Sequence, residues 1–109
     1  MLELRYFVAG EGRHPFEDWF TALDPTARAK VTVALGRLEQ GNVSNVKSVG
    51  GGVQELRIDF GPGYRVYFGR DGAVLVILLT GGTKKRQQND IAAASKLWDA
   101  YRRERRGAG

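Results

Sequence analysis

From Val53 onward the sequence reads as three strands in a row, separated by Gly61-Pro62-Gly63 and Asp71-Gly72. No other stretch limits the fold as much. Leu56, Ile58 and Phe60 fall on one face of the first of these strands, and Glu55, Arg57 and Asp59 on the other. In the next, Tyr64, Val66 and Phe68 oppose Arg65 and Tyr67. Pairing Ile58 with Val66 joins the apolar faces, and that register sets Arg65 opposite Asp59 and Arg57 opposite Tyr67. Asp71-Gly72 predicts a two-residue hairpin turn. Ala73 to Thr80, apolar at nearly every position, predicts an interior strand covered on both faces.

The flanking segments supply one more strand and three helices. Leu2, Leu4, Tyr6 and Val8 keep a period of two, which predicts a half-buried first strand. After a break at Gly10 to Arg13, Pro15 opens a helix with Phe16, Trp19, Phe20 and Leu23 on one side. Asp24-Pro25 predicts the capped start of a second helix, whose stripe is Val31, Ala34, Leu35 and Leu38 and whose stop is Gly41-Asn42. Residues 41–52, with four glycines, read as a surface loop carrying Lys47. From about Lys84 to Arg105, the spacing of Ile91, Ala94, Trp98 and Tyr101 predicts a basic C-terminal helix. The expected order is strand, helix, helix, three strands, helix. It describes a small α+β fold, a twisted antiparallel sheet packed by helices, with residues 1–109 forming one domain.

Charge is uneven along this chain. Residues 1–46 hold 5 basic and 6 acidic side chains, and residues 47–109 hold 12 and 6, so the second half carries +6 of a net +5. A one-sided positive field points to a polyanionic partner: nucleic acid, an acidic protein or an anionic surface. With no cysteine and His14 as the lone imidazole, thiolate chemistry is excluded and neither metal nor cofactor is expected. The N-terminus, Met1 to Arg5, lacks a basic region followed by a long apolar run, so no signal peptide or membrane span is expected and the expected location is cytoplasmic.

Several groups of residues have chemical potential. Arg57, Arg65 and Tyr67 fall on the sheet face opposite the Leu/Ile/Val core; a phosphate between the two guanidiniums would relieve their repulsion. Glu55 and Asp59 offer the alternative of ordinary cross-strand ion pairs. Thr80-Gly81-Gly82-Thr83-Lys84-Lys85-Arg86 leads from a strand into a helix, a setting that favours anions, although it lacks the Walker A spacing. Lys84, Lys85 and Arg86 oppose the helix dipole unless an anion sits there. The arginines of the tail, residues 102–106, complement the dipole at the other helix end and can widen an RNA-binding surface. His14, just before a helix, reads first as a cap or surface residue. Phe16, Trp19 and Phe20 read as core, and Tyr67 either fills the sheet face or stacks on a base.

The run Gly52-Val53-Gln54-Glu55-Leu56-Arg57-Ile58, the run Gly61-Pro62-Gly63-Tyr64-Arg65-Val66-Tyr67-Phe68, and Leu79-Thr80-Gly81-Gly82-Thr83-Lys84 with Gln87 and Asp90-Ile91 together resemble the RelE/ParE superfamily of toxins. The branch they resemble is that of the HigB-like addiction module killer and phage-derived proteins. The resemblance implies a metal-independent endoribonuclease, an mRNA interferase acting on translated mRNA by attack of the ribose 2′-OH on phosphorus. It also implies a hetero-oligomer with a helix-turn-helix, HigA-like antitoxin. Carried over by position, Arg65 is the first choice for phosphate stabilisation, with Arg57 and Lys84 second. Lys47, Tyr67, Lys85 and Arg86 are candidates for positioning RNA. Asp90, Glu55, Tyr67 and a deprotonated Lys84 stay open as acid or base. Thr83 stands where this branch commonly has Asp, and the C-terminal tyrosine of some relatives has no counterpart. A ParE-like gyrase inhibitor and an inactive phage-derived relative are the competing readings. Convergence of Arg57, Arg65 and Lys84 would favour cleavage, and their pairing with Glu55, Asp59 and Asp90 would favour protein binding.

Overall fold

The computed structural model describes residues 1–108. Its elements are β1 (Glu3–Tyr6), α1 (Pro15–Thr21), α2 (Pro25–Glu39), β2 (Val46–Gly50), β3 (Val53–Ile58), β4 (Tyr64–Asp71), β5 (Leu75–Thr83) and α3 (Gln87–Ala108). Single 3-10 turns at Gly10–Gly12 and Lys84–Arg86 precede α1 and α3. Asp24 starts α2 as expected, its carboxylate accepting from the Ala27 N–H at 2.9 Å.

Five strands form one sheet in the order β1-β5-β4-β3-β2. The meander is present, but two expectations are corrected. The sheet is mixed, because β1 runs parallel to β5. Part of the glycine-rich segment read as a loop is strand β2, with Lys47 directly opposite Glu55. Its alternation is short and weakly apolar, so periodicity did not reveal it, and a bulge before Gly50 absorbs the flanking glycines.

The β3–β4 register also differs from the expected one. Ile58 pairs with Tyr64 and Leu56 with Val66, so Arg57 lies opposite Arg65 and Glu55 opposite Tyr67. The connecting loop is the five residues 59–63. A slip of two residues preserves which face each side chain occupies, which is why the apolar assignment survives it. On one face α1 and α2 cover Leu56, Ile58, Tyr64, Val66, Phe68, Val76 and Leu78 with Phe16, Val31 and Leu38. The other face, where Arg57, Arg65 and Tyr67 were expected and where β5 was expected to be covered, is a second core, in which α3 lays Ala94 and Trp98 over Val53, Tyr67, Ile77 and Leu79.

Strand β5 changes its alternation partway. Phe68 pairs with Leu78 but Tyr67 with Thr80, which leaves Leu79 as the extra residue of a bulge. Beyond it Gly81 faces α1, and Gly82 and Arg65 face α3. A Cβ at Gly81 would lie 2.3 Å from the Trp19 ring. Gly81→Ala is therefore expected to lower unfolding stability in urea by about 1–3 kcal/mol. Gly36→Ala, in the middle of α2 with nothing within 4 Å of the added carbon, serves as the control. It is expected to hold stability or raise it by up to ~1 kcal/mol.

Candidate functional site

The second core is interrupted by charge. Glu55 and Arg65, two of the proposed site residues, are 1% and 7% exposed, beneath the first turn of α3. Arg65 Nε lies 3.4 Å from Glu55 Oε1, an ion pair that misses hydrogen-bond alignment. From α3, Gln87 Nε2 donates to Glu55 Oε2 at 2.8 Å. From β2, Lys47 Nζ approaches Glu55 Oε1 to 3.8 Å with its own side chain 64% exposed. One carboxylate thus receives groups from three elements. Burying such a pair has a large desolvation cost, which good geometry on both sides must offset.

Four neighbours here keep unpartnered buried polar atoms: Glu55 Oε1, Arg65 Nε and Nη1, Tyr67 OH and Asp90 Oδ2. Buried donors and acceptors are normally satisfied, and each that is not costs about 1–3 kcal/mol. Tyr67 is fully buried, and burial first, then the Glu55 charge, pushes its phenol far above the ordinary value, so it stays neutral. Burial also raises the Asp90 carboxyl, while the Arg86 charge pulls it back. Asp90 fits here because position 82 is glycine; a Cβ there would sit 1.8 Å from Asp90 Oδ2.

Around this pocketed charge lies a rim of exposed cations. Lys84, Lys85 and Arg86 occupy the 3-10 turn that leads into α3. The Lys84 N–H donates to the Gly63 carbonyl at 2.8 Å, which pins that turn to the β3–β4 loop. Gly63, at φ +78°, takes a backbone conformation that favours glycine, and a Cβ there would lie 3.4 Å from Lys84 Cβ and 3.8 Å from Arg65 Nη1. Arg57 points outward and pairs with Asp59 at 3.5 Å. The structure therefore gathers Glu55, Arg65, Tyr67, Asp90 and Lys47, sets Lys84, Lys85 and Arg86 on the rim, and leaves Arg57 at the edge. His14 sits at the start of α1, 3.8 Å from Glu17.

A family model matches residues 18–99, from within α1 to the middle of α3, a span that holds Lys47, Glu55, Arg57, Arg65, Tyr67, Lys84 to Arg86 and Asp90 but not His14: phage-derived protein Gp49-like. The chain belongs to the Gp49-like family. That agrees with the phage-derived branch of the resemblance and with a RelE/ParE-like toxin in general terms. An uncharacterized protein of Haemophilus influenzae (strain ATCC 51907 / DSM 11121 / KW20 / Rd) is 47% identical over 83 residues, 75% of this chain and 84% of that relative. For this Gp49-like chain, Thr83 has no bearing on the buried cluster. It pairs with Tyr64, on the α1/α2 face of the sheet, whereas Gly82 pairs with Arg65.

Sequence reasoning did not assign Gln87 a role, although it stands in one of the matched motifs. Its signal is positional: it opens α3 directly above Glu55, which only the β3–β4 register and the helix start together disclose. Asp90 offers a test. Its folded carboxyl titrates above the ordinary range, so its contribution to stability is complete at low pH and is lost as pH rises through the shifted value. Asp90→Asn, which mimics the neutral form, should raise Tm at pH 7.5 and leave it unchanged at pH 3. An equal shift at both values would remove the buried-carboxyl account.

Proposed function

We propose that this chain is the toxin of a type II toxin–antitoxin pair and that it acts as a metal-independent mRNA endoribonuclease. The observation that carries the reading is Arg65, a buried guanidinium with two unpartnered donors, Nε and Nη1, next to a rim of exposed cations. An RNA phosphate would satisfy those donors, and Arg is the side chain whose planar fork takes two oxygens at once.

In the proposed reaction the ribose 2′-oxygen bonds to phosphorus and the P–O5′ bond breaks, leaving a 2′,3′-cyclic phosphate and a 5′-hydroxyl. Arg65 and Lys84 stabilise the charge that builds on the phosphoryl oxygens. The 2′-OH proton must leave and a proton must reach O5′. Asp90 suits proton transfer best, because its raised carboxyl titrates nearer neutrality. Glu55 is engaged by Arg65, Gln87 and Lys47, and Tyr67 keeps its proton and serves as a neutral donor. Lys47, Lys85 and Arg86 position the strand. The proposed antitoxin, a helix-turn-helix protein of HigA type, silences the site by covering this cationic rim, since masked charge cannot capture RNA.

A ParE-like mode, binding gyrase without cleavage, is the second reading. What favours it is that Arg65 already pairs with Glu55 and Arg57 with Asp59, as a protein-binding surface would have them. Lys84, by contrast, has no carboxylate partner among the described residues.

Induced expression with 5′-end mapping of cellular mRNA separates the two. Wild type is expected to give new ends inside translated regions. Arg65→Ala strips a buried carboxylate of its partner at a cost of about 3–5 kcal/mol, so Arg65→Lys, which keeps the charge and loses the fork, is the cleaner variant. Arg65→Lys and Lys84→Ala are each expected to reduce cutting by about 100-fold or more. Arrested growth with intact mRNA would replace cleavage by the gyrase-type reading.

A further inference from the structure

At the far end of α3 a cleft of about 480 Å³ opens between its last turns and strands β3 and β4. Arg70, Arg102, Arg105 and Arg106 line it against a single carboxylate, Asp71. That carboxylate is already occupied. It accepts from the Tyr101 hydroxyl at 2.5 Å and pairs with Arg105 Nε at 2.9 Å. The Tyr101 hydrogen bond, then Arg105, holds the Asp71 carboxyl below its ordinary value, and the Tyr101 phenol is pushed up to about 12 by burial and by Asp71. Arg70 donates to the Ala73 carbonyl at 2.7 Å. Arg102 and Arg106 are left, exposed and one turn apart, with no carboxylate within ion-pair distance among the described residues. Like charges at that spacing repel. An anion between them would reverse the effect.

One aromatic ring borders the cleft as well. Tyr101 is half-buried and stacks on the buried Trp98, with ring centroids 5.2 Å apart and planes at 7°. An aromatic ring beside arginine forks is a combination that single-stranded nucleic acid uses, base or ribose on the one and phosphate on the other. The cleft and the buried charged cluster lie along the same helix, the cluster under its first turn and the cleft at its last turns. From Asp90 to Arg102 the helix rises ~18 Å, a span of roughly five stacked nucleotides at ~3.4 Å each. An acidic peptide would match the charge but not that alignment.

We propose that the Arg102/Arg106 cleft is a second phosphate-binding subsite, which holds the RNA strand about five nucleotides from the bond at Arg65. The inference rests on the endoribonuclease reading. It adds that substrate length, and not the reacting phosphate alone, sets affinity.

Fluorescence anisotropy with uncleavable 2′-O-methyl RNA of three and ten nucleotides tests it, comparing the full-length protein with an Arg102→Gln/Arg106→Gln variant. Both side chains are exposed, so the variant is expected to keep the fold. The ten-mer should bind the variant at least tenfold more weakly, and the slope of log affinity against log salt should fall by about 1.4, for two lost contacts. The three-mer should bind both proteins alike. Equal ten-mer affinity and slope in the two proteins would remove the subsite while leaving cleavage at Arg65 intact. A glutamate-rich peptide that binds wild type only, with RNA binding equal in both, would overturn it in favour of a protein partner. Failure of wild type to bind either RNA would overturn the subsite and the endoribonuclease reading together.

Discussion

The buried Glu55 carboxylate is the constraint on which this structure turns. A charge at 1% exposure can persist only if cations and donors surround it, and Lys47, Arg65 and Gln87 come to it from β2, β4 and α3. The requirement ties together three elements whose own apolar content is uneven. Strand β2 has the least to bury, and its docking depends on pairing with β3 and on the ion pair that Lys47 extends. Helix α3 is fastened twice to the sheet, by Gln87 on Glu55 at one end and by Tyr101 and Arg105 on Asp71 at the other. Between those clasps Ala94 and Trp98 supply the apolar contact.

That arrangement gives the two faces of the sheet different interiors. The α1/α2 side of the sheet is an ordinary core of aliphatic and aromatic side chains. The α3 side carries unpartnered polar atoms at the end where Gly82, Asp90 and Arg65 meet. The excess of positive charge in the second half of the chain acquires a location from the fold: some of it rims the first turn of α3, and some flanks its last turns.

Much of the architecture was legible in the residues. Alternation placed β3 and β4, the continuous apolar run placed β5, the Asp24-Pro25 start placed α2, and the stripe from Ile91 to Tyr101 placed α3. Strand β2 was not legible, because five residues with two half-buried side chains carry almost no period. The parallel pairing of β1 with β5 was hidden too, since nothing local in Leu2 to Val8 states which distant strand lies beside it. In the site, residue identity could be read but environment could not. A two-residue slip kept Arg65 and Glu55 on the correct face while exchanging their neighbours, and only the packing of α3 turns that face from open surface into interior. The Asp71–Tyr101–Arg105 clasp joins residues 30 or more apart and had no signature in either segment.

The parallel edge has a bearing on how the chain comes into being. Strand β1 leaves the ribosome first, yet its neighbour β5 follows 72 residues later, from the Glu3–Leu75 pairing. The β3–β4–β5 meander closes locally, whereas the first strand must wait, a long-range closure that slows assembly. Gln87 and Asp90 are later still in synthesis. A nascent chain short of residue 90 therefore lacks the groups that seal Glu55 and flank Arg65, so the charged cluster assembles only after all five strands have been made.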